Sequence, residues 1–189
     1  HLLYGEAIDI FKALKEKYHE LIVYSHIETG NDLTYDRDLL LKDYFKRNNS
    51  PWFEYPTNGV VRGLKKRDGW DAHWIKYVKS EQVPVFNKFE NSHIDIEFSN
   101  NFKLPSDLLL QLQNDDNKML KGSEKLAHDL LDEFLEQKVA GYWGALSYPD
   151  KSRYHCSLLS AYISWGNISI RQIYQKCENA KIHRSSIAS

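Results

Sequence analysis

Ser157-Leu158-Leu159-Ser160-Ala161-Tyr162-Ile163-Ser164-Trp165-Gly166-Asn167-Ile168-Ser169-Ile170-Arg171-Gln172 decides how this chain is read. Hydroxyl residues Ser157 and Ser160 open a short apolar helix, expected at roughly 158–165. Gly166 stops it, since glycine tolerates the left-handed backbone that ends helices. Ser169, with Gln172 three residues on, forms a capping box and starts a second helix at roughly 170–178. The first residues of a helix carry unpaired N–H groups and a partial positive charge, so Ser157 to Ser160 are candidates for holding a phosphate. Plain helix capping by the same serines is the competing reading.

Working outward, Ser123 is a fair N-cap for a helix whose apolar face is Leu126, Leu130, Leu131, Phe134 and Leu135. A loop rich in Gly, Tyr and Trp is expected from Gly141 to Tyr154. The tail from His183 to Ser189 shows no pattern.

The amino-terminal part has a different rhythm. Ala7, Ile8, Phe11, Leu14 and Tyr18 predict an amphipathic helix over 5–18. Leu21-Ile22-Val23-Tyr24 predicts a buried parallel strand. A second helix is expected over 34–46, with Leu39, Leu40 and Phe45 inward, and a second strand over Trp52-Phe53-Glu54-Tyr55. Helix, strand, helix, strand implies right-handed crossovers and a parallel sheet. Asn58-Gly59 and Asp68-Gly69 mark turns. Trp70, Trp74, Ile75 and Val78 predict one short helix. From Ser80 to Gly122 the periodicity dissolves around Pro84 and Pro105, and a long connector is expected. Its anchors would be Val85, Phe86, Phe89, Ile94, Ile96 and Phe98.

Composition narrows the function classes. The 189 residues are 42% hydrophobic, enough for a core, and 13% aromatic, rings that either fill that core, the favoured reading, or line a pocket for a flat ligand. The net charge of -1 supplies no global basic field for nucleic acid. The one dense basic run, Arg62, Lys65, Lys66 and Arg67, reads as a solvated loop. Two cysteines, Cys156 and Cys177, make no disulfide framework and no metal motif, and fit a reducing, cytoplasmic setting. No apolar run approaches a membrane span and no secretory leader is recognised. His155 beside Cys156 has no partners at catalytic spacing and reads as a loop histidine. His26 and Glu28 follow the first strand, at the carboxyl end where open α/β sheets bind ligands.

The quoted stretch resembles the flavin-pyrophosphate turn of the DNA photolyase and cryptochrome family, Thr-Ser-x-Leu-Ser-x-x-Leu-x-x-Gly-x-x-Ser-x-Arg-Gln. The likeness continues upstream. Gly122-Ser123-Glu124-Lys125-Leu126-Ala127, with Leu130 and Phe134, is similar to the entry of the family's helical flavin domain. Tyr142 precedes Pro149 by seven residues, as the family's flavin-contacting Tyr precedes its own Pro. Gly5-Glu6-Ala7 and Asp36-Arg37-Asp38 resemble landmarks of the antenna domain. Gly59-Val60-Val61-Arg62 and Asp68-Gly69-Trp70 resemble a bacterial, deoxyribodipyrimidine photolyase-related branch.

The resemblance implies an α/β then all-α chain in three parts. Residues 1–80 would be the C-terminal half of a Rossmann-like parallel-sheet antenna domain, 81–121 an interdomain connector, and 122–189 the start of a helical FAD-binding domain. It implies that Tyr142, Cys156, Ser157, Leu158, Leu159 and Ser160 hold FAD, with no metal and no catalytic residue in the segment. It also implies damaged DNA as the partner of the complete protein and a folate or deazaflavin antenna pigment near His26 and Glu28. The family's chemistry is light-driven electron transfer from reduced FAD to a pyrimidine dimer, a carbon–carbon lyase reaction.

Some positions depart from the pattern. Cys156 stands for Thr, Leu158 for a frequent Arg and Ala161 for Pro, and two extra residues precede the turn. Tyr142 and Trp143 are either cofactor-facing or core aromatics, and Trp165 is expected in the core. The chain opens at His1 without an initiator Met, so an internal fragment, inactive alone, is expected. Such a fragment could self-associate through an unpaired sheet edge or exposed apolar surface. A cryptochrome-like photoreceptor without repair activity, or a flavin-free binding module, are the alternative functions.

Overall fold

Two short parallel strands organise the first part of the chain. The computed structural model describes residues 2–84, 96–113 and 120–187, the side chains of 96–97 and 182–187 excepted. Contacts divide it into two units, each built from two chain segments.

The first unit comprises residues 1–63 and 84–117. Helix α1 (Ala7–Tyr18) leads to β1 (Val23–His26), α2 (Asp32–Arg47) and β2 (Trp52–Tyr55). The strands pair in parallel, Val23 opposite Trp52 and His26 opposite Tyr55, as a β–α–β crossover requires. Asn31 caps α2, its side chain accepting the N–H of Thr34 at 3.1 Å. The core lies between α2, α1 and one face of the sheet. Phe45 is 2% exposed there, edge-on to Phe11 at 4.9 Å and to Trp52 at 5.3 Å. Asn58 and Gly59 both take positive φ, 59° and 68°, and make the turn that Asn-Gly predicts.

Three expectations shift in this unit. The first strand sits two residues later than expected and is not buried on both faces. Along both strands half-buried and exposed residues alternate, leaving Tyr24, Phe53 and Tyr55 in water with Tyr24 and Phe53 stacked at 5.2 Å. Leu39 and Leu40 face outward; the inward stripe of α2 is Asp38, Leu41 and Phe45. An acidic residue holds a buried position there, so apolar periodicity alone misplaces the face. The connector is not devoid of periodic structure. It carries α4 (Ile96–Asn101) and α5 (Ser106–Gln113), and Phe98 is buried as expected. Val85, Phe86, Phe89, Ile94 and the side chain of Ile96 lie outside the described residues.

The second unit comprises residues 64–83 and 118–189. It contains α3 (Trp70–Lys79) and α6 (Glu124–Glu133), which runs into a π-helical turn over Phe134–Lys138 and a 3₁₀ turn over Val139–Gly141. Then come α7 (Tyr142–Ala145), α8 (Pro149–His155), α9 (Ser160–Ser164) and α10 (Ile170–Ile187). Ser123 caps α6, accepting the N–H of Leu126 at 3.0 Å. Ala127, Leu131, Leu159, Tyr162 and Ile168 form its core.

Here too the structure corrects the sequence. The expected loop from Gly141 to Tyr154 is mostly α7 and α8, and α10 continues well past 178. The segment around α3, expected with the α/β domain, packs against α10 instead. Trp74 meets Tyr174 edge-on at 5.6 Å, and Arg171 donates to the carbonyls of Tyr77 at 3.2 Å and Glu81 at 3.3 Å. Gln175 donates to the carbonyls of Val78 and Ser80, both at 2.9 Å. These side chains tie α10 to the carboxyl end of α3, where the Tyr77 carbonyl also accepts the N–H and the hydroxyl of Ser80. The division into 1–80, 81–121 and 122–189 therefore gives way to two discontinuous units. Among the described residues no helix is long and apolar enough to cross a membrane.

Candidate functional site

The bend from Cys156 to Ser160 joins α8 to α9. The N–H of Cys156 closes α8 on the carbonyl of Ser152 at 2.8 Å, so that donor is occupied. Leu158 then takes φ 56°, a left-handed conformation that costs a branched L-residue roughly 1–2 kcal/mol. Leu159 returns to the right-handed region at φ -82°, ψ -7°. A left-handed residue followed by a right-handed one aims successive N–H groups toward one concavity, the geometry of an anion-binding nest. Among the described residues no acceptor pairs with the N–H of any residue from Ser157 to Tyr162; the first to pair is Ile163, on Leu159 at 2.9 Å.

The side chains differ in what they add. Ser157 is half-buried and Ser160 is exposed, so their hydroxyls are available beside the amides. No side chain caps α9, and its N-cap is Leu159 rather than a serine. Competition between serine capping and ligand binding therefore does not arise at α9. Leu159 is 3% exposed and fills the core, which anchors the bend and leaves only its backbone for a ligand. Leu158 projects to solvent and brings no positive charge.

The downstream punctuation follows the sequence. Gly166 takes φ 70°, its N–H bonds Ile163, and the N–H of Asn167 reaches back to Tyr162 at 2.8 Å. That is a Schellman stop. Ser169 and Gln172 exchange the expected bonds, Ser169 N–H to Oε1 at 2.8 Å and Gln172 N–H to Oγ at 3.1 Å. Within the motif, Ser169, Arg171 and Gln172 therefore serve the architecture of α10 and α3.

Tyr142 opens α7. Its ring meets Phe134 edge-on at 5.5 Å and Trp143 at 6.0 Å. Among the described residues no hydrogen bond or ring contact joins it to Ser157–Ser160. His155 ends α8 with its ring against Gly141, where a Cβ would overlap Cε1 at 2.6 Å, and its buried Nδ1 has no partner among the described residues. Trp165 is not a core residue: it is 85% exposed. It borders a cavity of about 660 Å³ whose walls are Leu120–Gly122 on one side and Ala161, Tyr162 and Asn167 on the other. The sequence carried no signal for this exposure, because an indole after an apolar run reads as core.

In the first unit the carboxyl ends of the strands carry a charged cluster. Arg62 donates to the Glu28 carbonyl at 3.2 Å, to Asp38 Oδ2 at 3.4 Å and to Glu54 Oε1 at 3.4 Å, and lies over the Tyr35 ring at 5.3 Å. Arg37 holds the other oxygen of Asp38 at 2.8 Å and approaches Glu28 at 3.6 Å. Arg62 is therefore no solvated loop residue, though Lys65 and Lys66 are exposed. A cavity of about 290 Å³ opens beside Glu28, Tyr35 and Arg62. His26 ends β1, exposed. Among the described residues no His, Cys, Asp and Glu cluster could hold a metal ion.

The chain matches no model of a known protein family, and no curated protein matches it.

Proposed function

We propose that the bend from Ser157 to Ser160 holds the diphosphate of FAD, and that this chain is a portion of a flavin-dependent protein of the DNA photolyase and cryptochrome kind. One observation carries the reading. The N–H groups from Ser157 to Tyr162 lack acceptors among the described residues, at a bend where a left-handed Leu158 is followed by a right-handed Leu159. A diphosphate needs several converging donors, and amides fixed by a buried Leu159 supply them without the cost of ordering side chains. Ser157 and Ser160 add hydroxyls. Cys156 contributes only its thiol, and Tyr142 contributes from α7.

On this reading the first unit is part of a Rossmann-like antenna domain, with a pigment in the 290 Å³ cavity at the strands' carboxyl ends. The activity of the whole protein is light-driven repair of pyrimidine dimers in DNA.

The test is FAD binding by this chain. FAD should bind more tightly than FMN, which lacks the diphosphate. Ser160→Asp should abolish the difference, because a carboxylate at the nest repels the anion. Equal affinities, or a Ser160→Asp protein that binds FAD like the parent, would refute it. Repair of thymine-dimer DNA under light by the complete flavin-loaded protein, of which this chain is a portion, separates a lyase from a photoreceptor.

A further inference from the structure

A cavity adjoins α9, and its lining shares no residue with the serine bend. The cavity of about 660 Å³ falls in the range of small-molecule sites. Its two walls are tied together, since the Tyr162 hydroxyl donates to the Lys121 carbonyl at 2.9 Å and Tyr162 itself is buried. Trp165 lines the cavity with an indole that is 85% exposed. A solvated indole of this size forgoes a large apolar burial, so the ring is placed for something to cover it. On the same wall the Asn167 side-chain amide makes no hydrogen bond among the described residues. Its Oδ1 and Nδ2 lie 3.7 and 4.0 Å from where a Cβ on Gly122 would stand. The missing side chain keeps the cavity open beside that amide.

We propose that this cavity is a subsite for an unstacked adenine base, stacked on Trp165 and read along its edge by Asn167. The chemistry selects the ligand. An indole face stacks on a flat base, and a carboxamide offers one acceptor and one donor, the complement of adenine N6 and N7. A purely apolar occupant would strand the Asn167 amide without partners. The site is separate from the serine bend and does not rest on the flavin reading.

Adenosine monophosphate and single-stranded oligodeoxyadenylate are the probes, followed by tryptophan fluorescence and calorimetry, with thymidine monophosphate as the comparison. The adenine nucleotide should bind saturably and more tightly than the thymidine nucleotide. Trp165→Ala should weaken binding about fivefold to a hundredfold. Asn167→Ala should erase the preference for adenine. Gly122→Leu, at a position where a Cβ meets only the Asn167 amide within 4 Å, should block binding by filling the cavity. Circular dichroism checks that each variant is folded.

Length-dependent tightening with the oligonucleotide identifies single-stranded nucleic acid as the source of the base, and equal affinities identify a free nucleotide. Absence of saturable binding by both probes overturns the site. So does binding unchanged in Trp165→Ala, while an adenine preference that survives Asn167→Ala overturns the base-reading role. FAD binding lost in Ser160→Asp but kept in Trp165→Ala reports on the bend alone, so the two readings fail separately.

Discussion

Replacing Arg62 by Ala separates a clamp from a solvated loop. A surface arginine removed from a loop changes stability by no more than about 0.5 kcal/mol. Arg62 instead holds two carboxylates at 3.4 Å, one of them, Asp38, with its side chain only 7% exposed, as well as a carbonyl and an aromatic face. The contacts are long and the guanidinium is 29% exposed, so each charged contact is taken at only about 1 kcal/mol. The carbonyl and the Tyr35 face add about 0.5 kcal/mol each. The expected cost is about 3 kcal/mol, which speeds opening of the strands about a hundredfold. Amide hydrogen exchange at Val23 and Ile27 reads this directly, because their N–H groups bond across to Pro51 and Tyr55 at 2.9 and 2.8 Å. Arg62→Lys should recover only part, since one ammonium cannot span three acceptors. A change of about threefold or less in exchange for Arg62→Ala would refute the clamp.

Gly166→Ala should lower stability by about 1 kcal/mol in thermal melting, because φ 70° is left-handed and alanine resists it. Ser169→Ala should cost about 1 kcal/mol by removing the cap of α10, and a Gln172→Ala change made with it should add less than it costs alone. Burial pushes the Cys177 thiol above its ordinary pKa, with Glu178 adding to the rise and Lys181 opposing it. The folded chain therefore keeps that proton longer than the unfolded chain, so stability falls as pH rises above the ordinary thiol range. Denaturant titrations above neutral pH should show the decline in the parent and a flatter profile in Cys177→Ala.

The sequence carried local structure well and faces poorly. β2, the Asn58-Gly59 turn, the Ser123 cap, the Gly166 stop and the Ser169–Gln172 box each rest on a side chain or backbone preference acting within a few residues, and all are where the residues place them. The inward stripe of α2 was hidden because the buried Asp38 is paired by its neighbour Arg37 and by Arg62, which is distant in sequence. Trp165 was misplaced because exposure depends on what the rest of the fold leaves uncovered. The serine bend was legible as a helix start, but its special property was not. The left-handed turn falls on Leu158, a residue that no propensity assigns to that conformation. The unit boundary was invisible because α3 belongs with a helix nearly a hundred residues later.

That last arrangement sets a timetable for synthesis. Arg171 and Gln175 stand 94 and 97 residues after the carbonyls of Tyr77 and Val78 that they secure. At translation rates of about 5–20 residues per second, α3 leaves the ribosome roughly 5–20 s before its partner is made. Trp74 and Val78 spend that interval without α10, while the neighbouring α/β segment already has both its strands. Slow or paused translation between the two would lengthen the exposure of an unsheltered apolar helix, the moment at which a chaperone has most to hold.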